Sequence, residues 1–89
     1  MFHTTLCIPK VHLSITQQDI EKVFNSLNLG KIVNITFKNV TYHKTNCNRV
    51  YISFGCWNNK LCMEQLQKGN TLKIFYDKPR FWICSLGSY

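Results

Sequence analysis

The sequence predicts an α+β domain with the element order β-α-β-β-α-β. Two helices are expected to cover one face of a four-stranded antiparallel sheet and leave the other face open. Three features carry this expectation. In Arg49-Val50-Tyr51-Ile52-Ser53-Phe54 the side chains alternate with the period of a strand, so that Val50, Ile52 and Phe54 share one face and Arg49, Tyr51 and Ser53 the other. Ile20, Val23, Phe24 and Leu27 recur at i, i+3, i+4 and i+7, the single apolar stripe of an amphipathic helix. Between such segments stand turn and stop signals, Gly30, Gly69 and Asp77-Lys78-Pro79-Arg80.

Leu6 to Val11 reads as the first strand, with Leu6 and Ile8 inward and Pro9 ending or bulging it. Thr16 is placed to cap a helix over residues 17–27, with Asp19 approximating the acidic end of a capping box and Gly30 as the stop. Ile32 to Phe37 is the second strand, Ile35 and Phe37 inward, and Lys38 to Asn46 a polar connection to the third. Asn58 or Asn59 then caps a helix near 59–68, in which Cys62, Met63 and Leu66 form the inner stripe and Gly69 the stop. Leu72 to Tyr76 and Phe81 to Ser85 pair as a hairpin, the first a short extra strand before the last main one.

The main strands are expected in the order 4-1-3-2, a ferredoxin-like split β-α-β arrangement. Its core is expected to hold Ile8, Ile20, Val23, Phe24, Ile35, Phe37, Val50, Ile52, Phe54 and Leu66, with Trp57 covering one edge. Alternation lets only one ring of Phe81-Trp82 face that core. With Ile83 as the inward anchor, Phe81 is inside and Trp82 stands with Cys84 on the open face beside Cys7. The opposite register buries Trp82 and exposes Phe81.

At 89 residues, 45% hydrophobic and 13% aromatic, the chain is expected to fold as a single domain over 1–89 with one modest core. No apolar run reaches the 18 residues of a membrane span, and the first residues do not read as a secretory leader. Five cysteines, an odd number without a C-x-x-C pair, read as reduced thiols in an intracellular compartment. His43-x3-Cys47 lacks a second ligand pair, so neither a metal nor another cofactor is expected. With four acids, mostly in the helices, no carboxylate pair suits acid–base chemistry. No Gly-rich phosphate loop is present, and no nucleophile stands in a recognisable setting, so catalysis is not expected.

The net charge of +7 is unevenly placed. Asp19, Glu21 and Glu64 lie in the helices, whereas Lys31, Lys38, Lys44, Arg49, Lys73, Lys78 and Arg80 lie in strands or their connections. With the helices on one side, the remaining surface is positive and suits a polyanion. An open face bearing Arg49 and Tyr51 offers a stacking plane and a ring for nucleic-acid bases. The expected contacts are therefore Tyr51, Arg49 and Trp82 for bases, with Lys10, Lys38, Lys44, Lys73, Lys78 and Arg80 for the backbone. The partner is single-stranded RNA or DNA.

Cys47-Asn48-Arg49-Val50-Tyr51-Ile52-Ser53-Phe54 resembles the longer ribonucleoprotein octamer of the RNA recognition motif, K/R-G-F/Y-G/A-F-V-x-F/Y. Tyr51, Ile52 and Phe54 match and Val50 keeps a small core residue, while Cys47, Asn48 and Arg49 depart from the basic, glycine and aromatic places. The family's shorter hexamer falls on Leu6 to Val11, where Leu6, Ile8 and Val11 match and Cys7 stands where a stacking aromatic is usual. The chain is also similar to small RNA-recognition-like proteins of giant DNA viruses, which implies a host cytoplasm, nucleus or virion as its place. The resemblance implies RNA binding on the sheet face, with Tyr51 as the one retained stacking ring and Arg49 able to substitute for another. Members of that family that have lost stacking aromatics often bind peptides or partner proteins instead. The alternative is therefore a protein-interaction module or complex subunit, with Pro9, Phe75 and Trp82 as its apolar contacts.

Overall fold

The computed structural model describes residues 4–58, 60–77 and 79–87. Its elements are β1 (Thr4–Val11), α1 (Gln17–Leu27), β2 (Gly30–Tyr42), β3 (Thr45–Trp57), α2 (Lys60–Gln67), β4 (Leu72–Asp77) and β5 (Arg80–Leu86). The protein is α+β, with two helices and an open antiparallel sheet. The sheet has five strands in the order β2-β3-β1-β5-β4, which corrects the expected four-stranded arrangement. The segment 72–77 is an edge strand in its own right, because it pairs with β5 from Leu72↔Cys84 to Asp77↔Arg80 and buries Ile74.

α1 begins as its sequence dictates. The Thr16 hydroxyl accepts from the Asp19 amide at 3.2 Å, and the Asp19 carboxylate accepts from the Thr16 amide at 2.9 Å, closing a capping box. The Thr16 amide and, at 3.0 Å, the Thr16 hydroxyl both donate to the Asp19 carboxylate and hold its carboxyl below the usual range. The helix ends on Asn28 in the left-handed region (φ 51°), and Gly30, expected as its stop, is the first residue of β2. α2 ends as expected, in a Schellman motif about Gly69 (φ 87°): the Gly69 amide donates to Leu66 and the Asn70 amide to Gln65, both at 3.0 Å. Of its expected caps, Asn59 lies outside the described residues, and Asn58 instead donates its side chain to the Asn28 side-chain oxygen at 3.2 Å.

The polar connection expected over 38–46 is not a loop. β2 and β3 pair without a break from Phe37↔Val50 to Tyr42↔Thr45 and are joined by the two residues His43 and Lys44. Both adopt positive φ, 47° and 67°, as a type I′ hairpin turn requires. β1 carries a bulge between Ile8 and Val11 around Pro9, which has no N–H to donate to the ladder.

One apolar cluster holds the sheet to both helices. Leu6, Ile8, Ile20, Phe24, Val50, Ile52, Phe54 and Leu66 are buried, while Val23, Ile35 and Phe37 flank them half-buried. Its spine is a file of rings. Trp57 meets Phe54 edge-on at 5.1 Å, Phe54 lies 6.2 Å from Phe24, Phe24 lies parallel to Trp82 at 6.3 Å, and Tyr76 stacks on Trp82 at 4.4 Å.

Trp82 therefore belongs to the core, and the expected register of the last strand is reversed. Trp82 and Cys84 are buried, while Phe81 and Ile83 are exposed on the other face. The reason is the hairpin. Pairing Ile74 with Trp82 and Leu72 with Cys84 turns all four side chains to one side. The face so chosen offers Ile74, Trp82, Leu72 and Cys84, with the Phe24 and Tyr76 rings parallel to the indole, whereas the opposite face would bring the Lys73 ammonium into the core along with Phe75, Phe81 and Ile83.

Candidate nucleic-acid interface

The face of the sheet opposite the helices is built by strand alternation. Thr36, Tyr51, Cys7 and Ser85 stand side by side across β2, β3, β1 and β5. One step along β3, Arg49 lies opposite Lys38, and at the hairpin end Tyr42 lies opposite Thr45. On the other side of the row, Phe75 is paired with Phe81 and Lys73 with Ile83.

Cations and rings alternate over this face. Lys10 Nζ lies 4.8 Å from the centre of the Tyr42 ring, and the Arg49 guanidinium lies 5.9 Å from the same ring. Arg49 also donates through Nη2 to the Tyr42 hydroxyl. Hydrogen bonds to Tyr42 and then Tyr51 raise the Arg49 pKa further above its already high range, so the group stays charged. Its Nε is shielded and has no hydrogen-bond partner among the described residues. Lys38 Nζ lies 5.7 Å from the Tyr51 ring, and Lys73 Nζ lies 4.9 Å from the Phe81 ring, which packs against Phe75 at 5.4 Å. Each exposed cation–π contact is worth only about 0.5–1 kcal/mol. They organise the face more than they stabilise the fold.

Gly87 completes the centre of the row. A Cβ there would sit 2.7 Å from the Cys7 Cβ and 3.5 Å from the Tyr51 ring, so only glycine lets the chain pass beside Tyr51 while its amide donates to Thr5 at 2.9 Å.

Of the residues expected at the site, the face gathers Tyr51, Arg49, Lys10, Lys38 and Lys73. Lys44 stands apart at the exposed hairpin tip, and Arg80 is exposed at the β4–β5 turn opposite Asp77. Lys78 lies outside the described residues. Trp82 is removed from the site, because its ring is buried on the helix side of the sheet, parallel to those of Phe24 and Tyr76. Cys84 goes with it, and burial pushes its thiol up to about 12.

Sequence reasoning missed Tyr42; it read Phe75 as exposed only for a protein partner and exposed Phe81 only in the alternative register, so neither was placed on this surface. Tyr42 was legible in principle, since 36, 38, 40 and 42 continue one alternation. A turn of His43-Lys44, in place of Asn-Gly, hid the hairpin.

Among the described residues no cluster of three or more His, Cys, Asp or Glu could hold a metal ion, and no helix is long and apolar enough to cross a membrane. All five cysteines are free thiols. Comparison of the chain with protein-family models, with curated proteins and with solved structures found no match in any of the three.

Proposed function

We propose that this domain is a non-catalytic binder of single-stranded nucleic acid, RNA in the first place, which it takes on the open face of the sheet. The observation that carries the reading is the alternation of rings and cations across that face, Lys10–Tyr42–Arg49–Tyr51–Lys38 on one side and Lys73–Phe81–Phe75 on the other. Splayed bases stack on rings, and the intervening ammonium and guanidinium groups meet the phosphates between them. The paired strands hold the rings at fixed spacing, so little side-chain freedom is lost on binding. The split β-α-β motif order and the Tyr51-Ile52-Ser53-Phe54 match support a divergent RNA recognition motif, of ferredoxin-like descent with an added edge strand. Free thiols fit a reducing, intracellular setting, and the viral resemblance is part of the same proposal.

The test is binding of a single-stranded RNA of about ten nucleotides, with single-stranded DNA and duplex as controls. Tyr51→Ala is expected to weaken single-strand binding by about 1–3 kcal/mol, the usual value of one base–ring stack. Unchanged affinity in a folded Tyr51→Ala variant rules out the platform.

A second reading has one specific observation in its favour. Phe75, Phe81 and Ile83 are 46%, 38% and 48% exposed and adjoin one another on β4 and β5, an apolar patch suited to a protein partner. Association through that patch would be insensitive to salt, whereas nucleic-acid binding weakens steeply as salt rises.

A further inference from the structure

Where β1 leaves the sheet, its end and the β2–β3 turn enclose a concave pocket of about 360 Å³ at the margin of the open face, lined by Lys10, His12, Tyr42, His43, Thr45 and Cys47. The lining carries one fixed cation, two imidazoles and two hydroxyls, and no carboxylate. Two other clefts differ in this respect: the one beside α2 includes Glu64 and the one beside α1 includes Asp19. The His12 ring has a defined orientation. Its Nδ1 accepts from the Ser14 amide at 3.1 Å, so in the neutral ring the proton sits on Nε2, which remains a donor.

The turn that supplies His43 is held at a cost. L-residues in the left-handed region are sterically disfavoured. Asn-Gly is the usual pair in such a turn, and here His43 and Lys44 take the positive φ values instead. The turn thereby places His43 in the lining of the pocket.

We propose that this pocket is a phosphomonoester site, which holds the terminal phosphate of a strand lying on the sheet face. The inference rests on the nucleic-acid reading of that face. A mid-chain phosphodiester has a single charge, two free oxygens and a sugar on either side, and lysines on an open surface serve it. A terminal phosphate has three free oxygens and close to two charges. It calls for several donors around one concavity, and Lys10, His12, His43, Tyr42 and Thr45 line this one.

The experiment compares one single-stranded RNA sequence in three forms: phosphorylated at the 5′ end, phosphorylated at the 3′ end, and with hydroxyls at both ends. A nucleoside monophosphate is the fourth probe. One phosphorylated form is expected to bind about tenfold more tightly than the hydroxyl-ended strand, equivalent to about 1.4 kcal/mol. The doubly substituted His12→Gln/His43→Gln protein should lose that advantage and keep its affinity for the hydroxyl-ended strand. His43→Gln alone, at an exposed turn, should halve the advantage or more even if the double variant folds poorly. Equal affinity for all three strands overturns the pocket and leaves the sheet-face reading standing. Failure of every strand to bind overturns both. A monophosphate that binds as tightly as the end-phosphorylated strand makes the pocket a nucleotide site and overturns its assignment to strand ends.

Discussion

Trp82 and Phe81 are adjacent in the chain, yet one is 4% exposed beneath the sheet and the other 38% exposed above it. Substituting each tests a different property. Trp82→Ala removes the ring parallel to those of Phe24 and Tyr76 and is expected to destabilise the fold by about 3–5 kcal/mol, measured by denaturant unfolding. With Trp57→Phe leaving Trp82 as the sole tryptophan, emission should be blue-shifted and unmoved by added oligonucleotide. Phe81→Ala should leave stability nearly unchanged and weaken single-strand binding by about 1–3 kcal/mol if a base stacks there. Cys84 offers a further check at this scale. Burial raises its thiol from an ordinary 9.0 to about 12. The unfolded chain therefore ionises first as pH rises, so stability is full below pH 9 and falls between 9 and 12. Cys84→Ala should flatten that alkaline fall in the unfolding free energy.

The hairpin of β2 and β3 is the element on which the site most depends, since it places Tyr42, Lys38, Arg49 and Tyr51 along two paired strands. Its turn is also the least favourable backbone in the described chain, with His43 and Lys44 both left-handed. Lys44→Gly relieves the steric clash but gives the unfolded chain more freedom, two effects of about 1–2 and 0.4–1 kcal/mol respectively. The first is larger, so the variant should be more stable by about 0.5–1 kcal/mol, with a higher Tm. A fall in Tm would mean that the Lys44 side chain contributes to folding. The hairpin was hard to read from sequence because Asn39, Thr41 and Asn46 are polar on one face while the other mixes Val40, Tyr42 and Cys47 with Lys38 and Thr45, so neither face stands out as core. Period-2 alternation is visible only where burial makes the two faces chemically different. Helix α1 was legible for the opposite reason: its stripe, its Thr16 cap and its length are all local.

Across the whole molecule the charges are segregated. Asp19, Glu21 and Glu64 lie on the helices, and Lys10, Lys38, Arg49 and Lys73 on the opposite face of the sheet. Binding should therefore weaken linearly on a logarithmic salt scale, with a slope of about 0.7 per phosphate neutralised on a single strand. Lys38→Ala and Lys73→Ala should each reduce that slope by roughly 0.7–1, whereas Lys22→Ala or Lys68→Ala, on the helix side, should leave it unchanged. A slope indifferent to Lys38 and Lys73 would transfer the function to the apolar patch of Phe75, Phe81 and Ile83.

By itself the sequence determined the helices, the strand from Arg49 to Phe54 and most of the core, and it placed Arg49 and Tyr51 on the face away from that core. Each of these follows from patterns within a dozen residues, because caps, stripes and alternation express a side chain's preference for water or its absence. Only the tertiary structure decided that the extra strand joins the sheet as its fifth, edge strand, that Trp82 lies inside and Phe81 outside, and that Tyr42 joins Arg49. Those outcomes depend on pairing between strands. The faces of β5 are chosen by the partners that β4 presents, and the end of β2 is ordered by β3. A side chain's surroundings are then set by residues it meets only after the chain has folded.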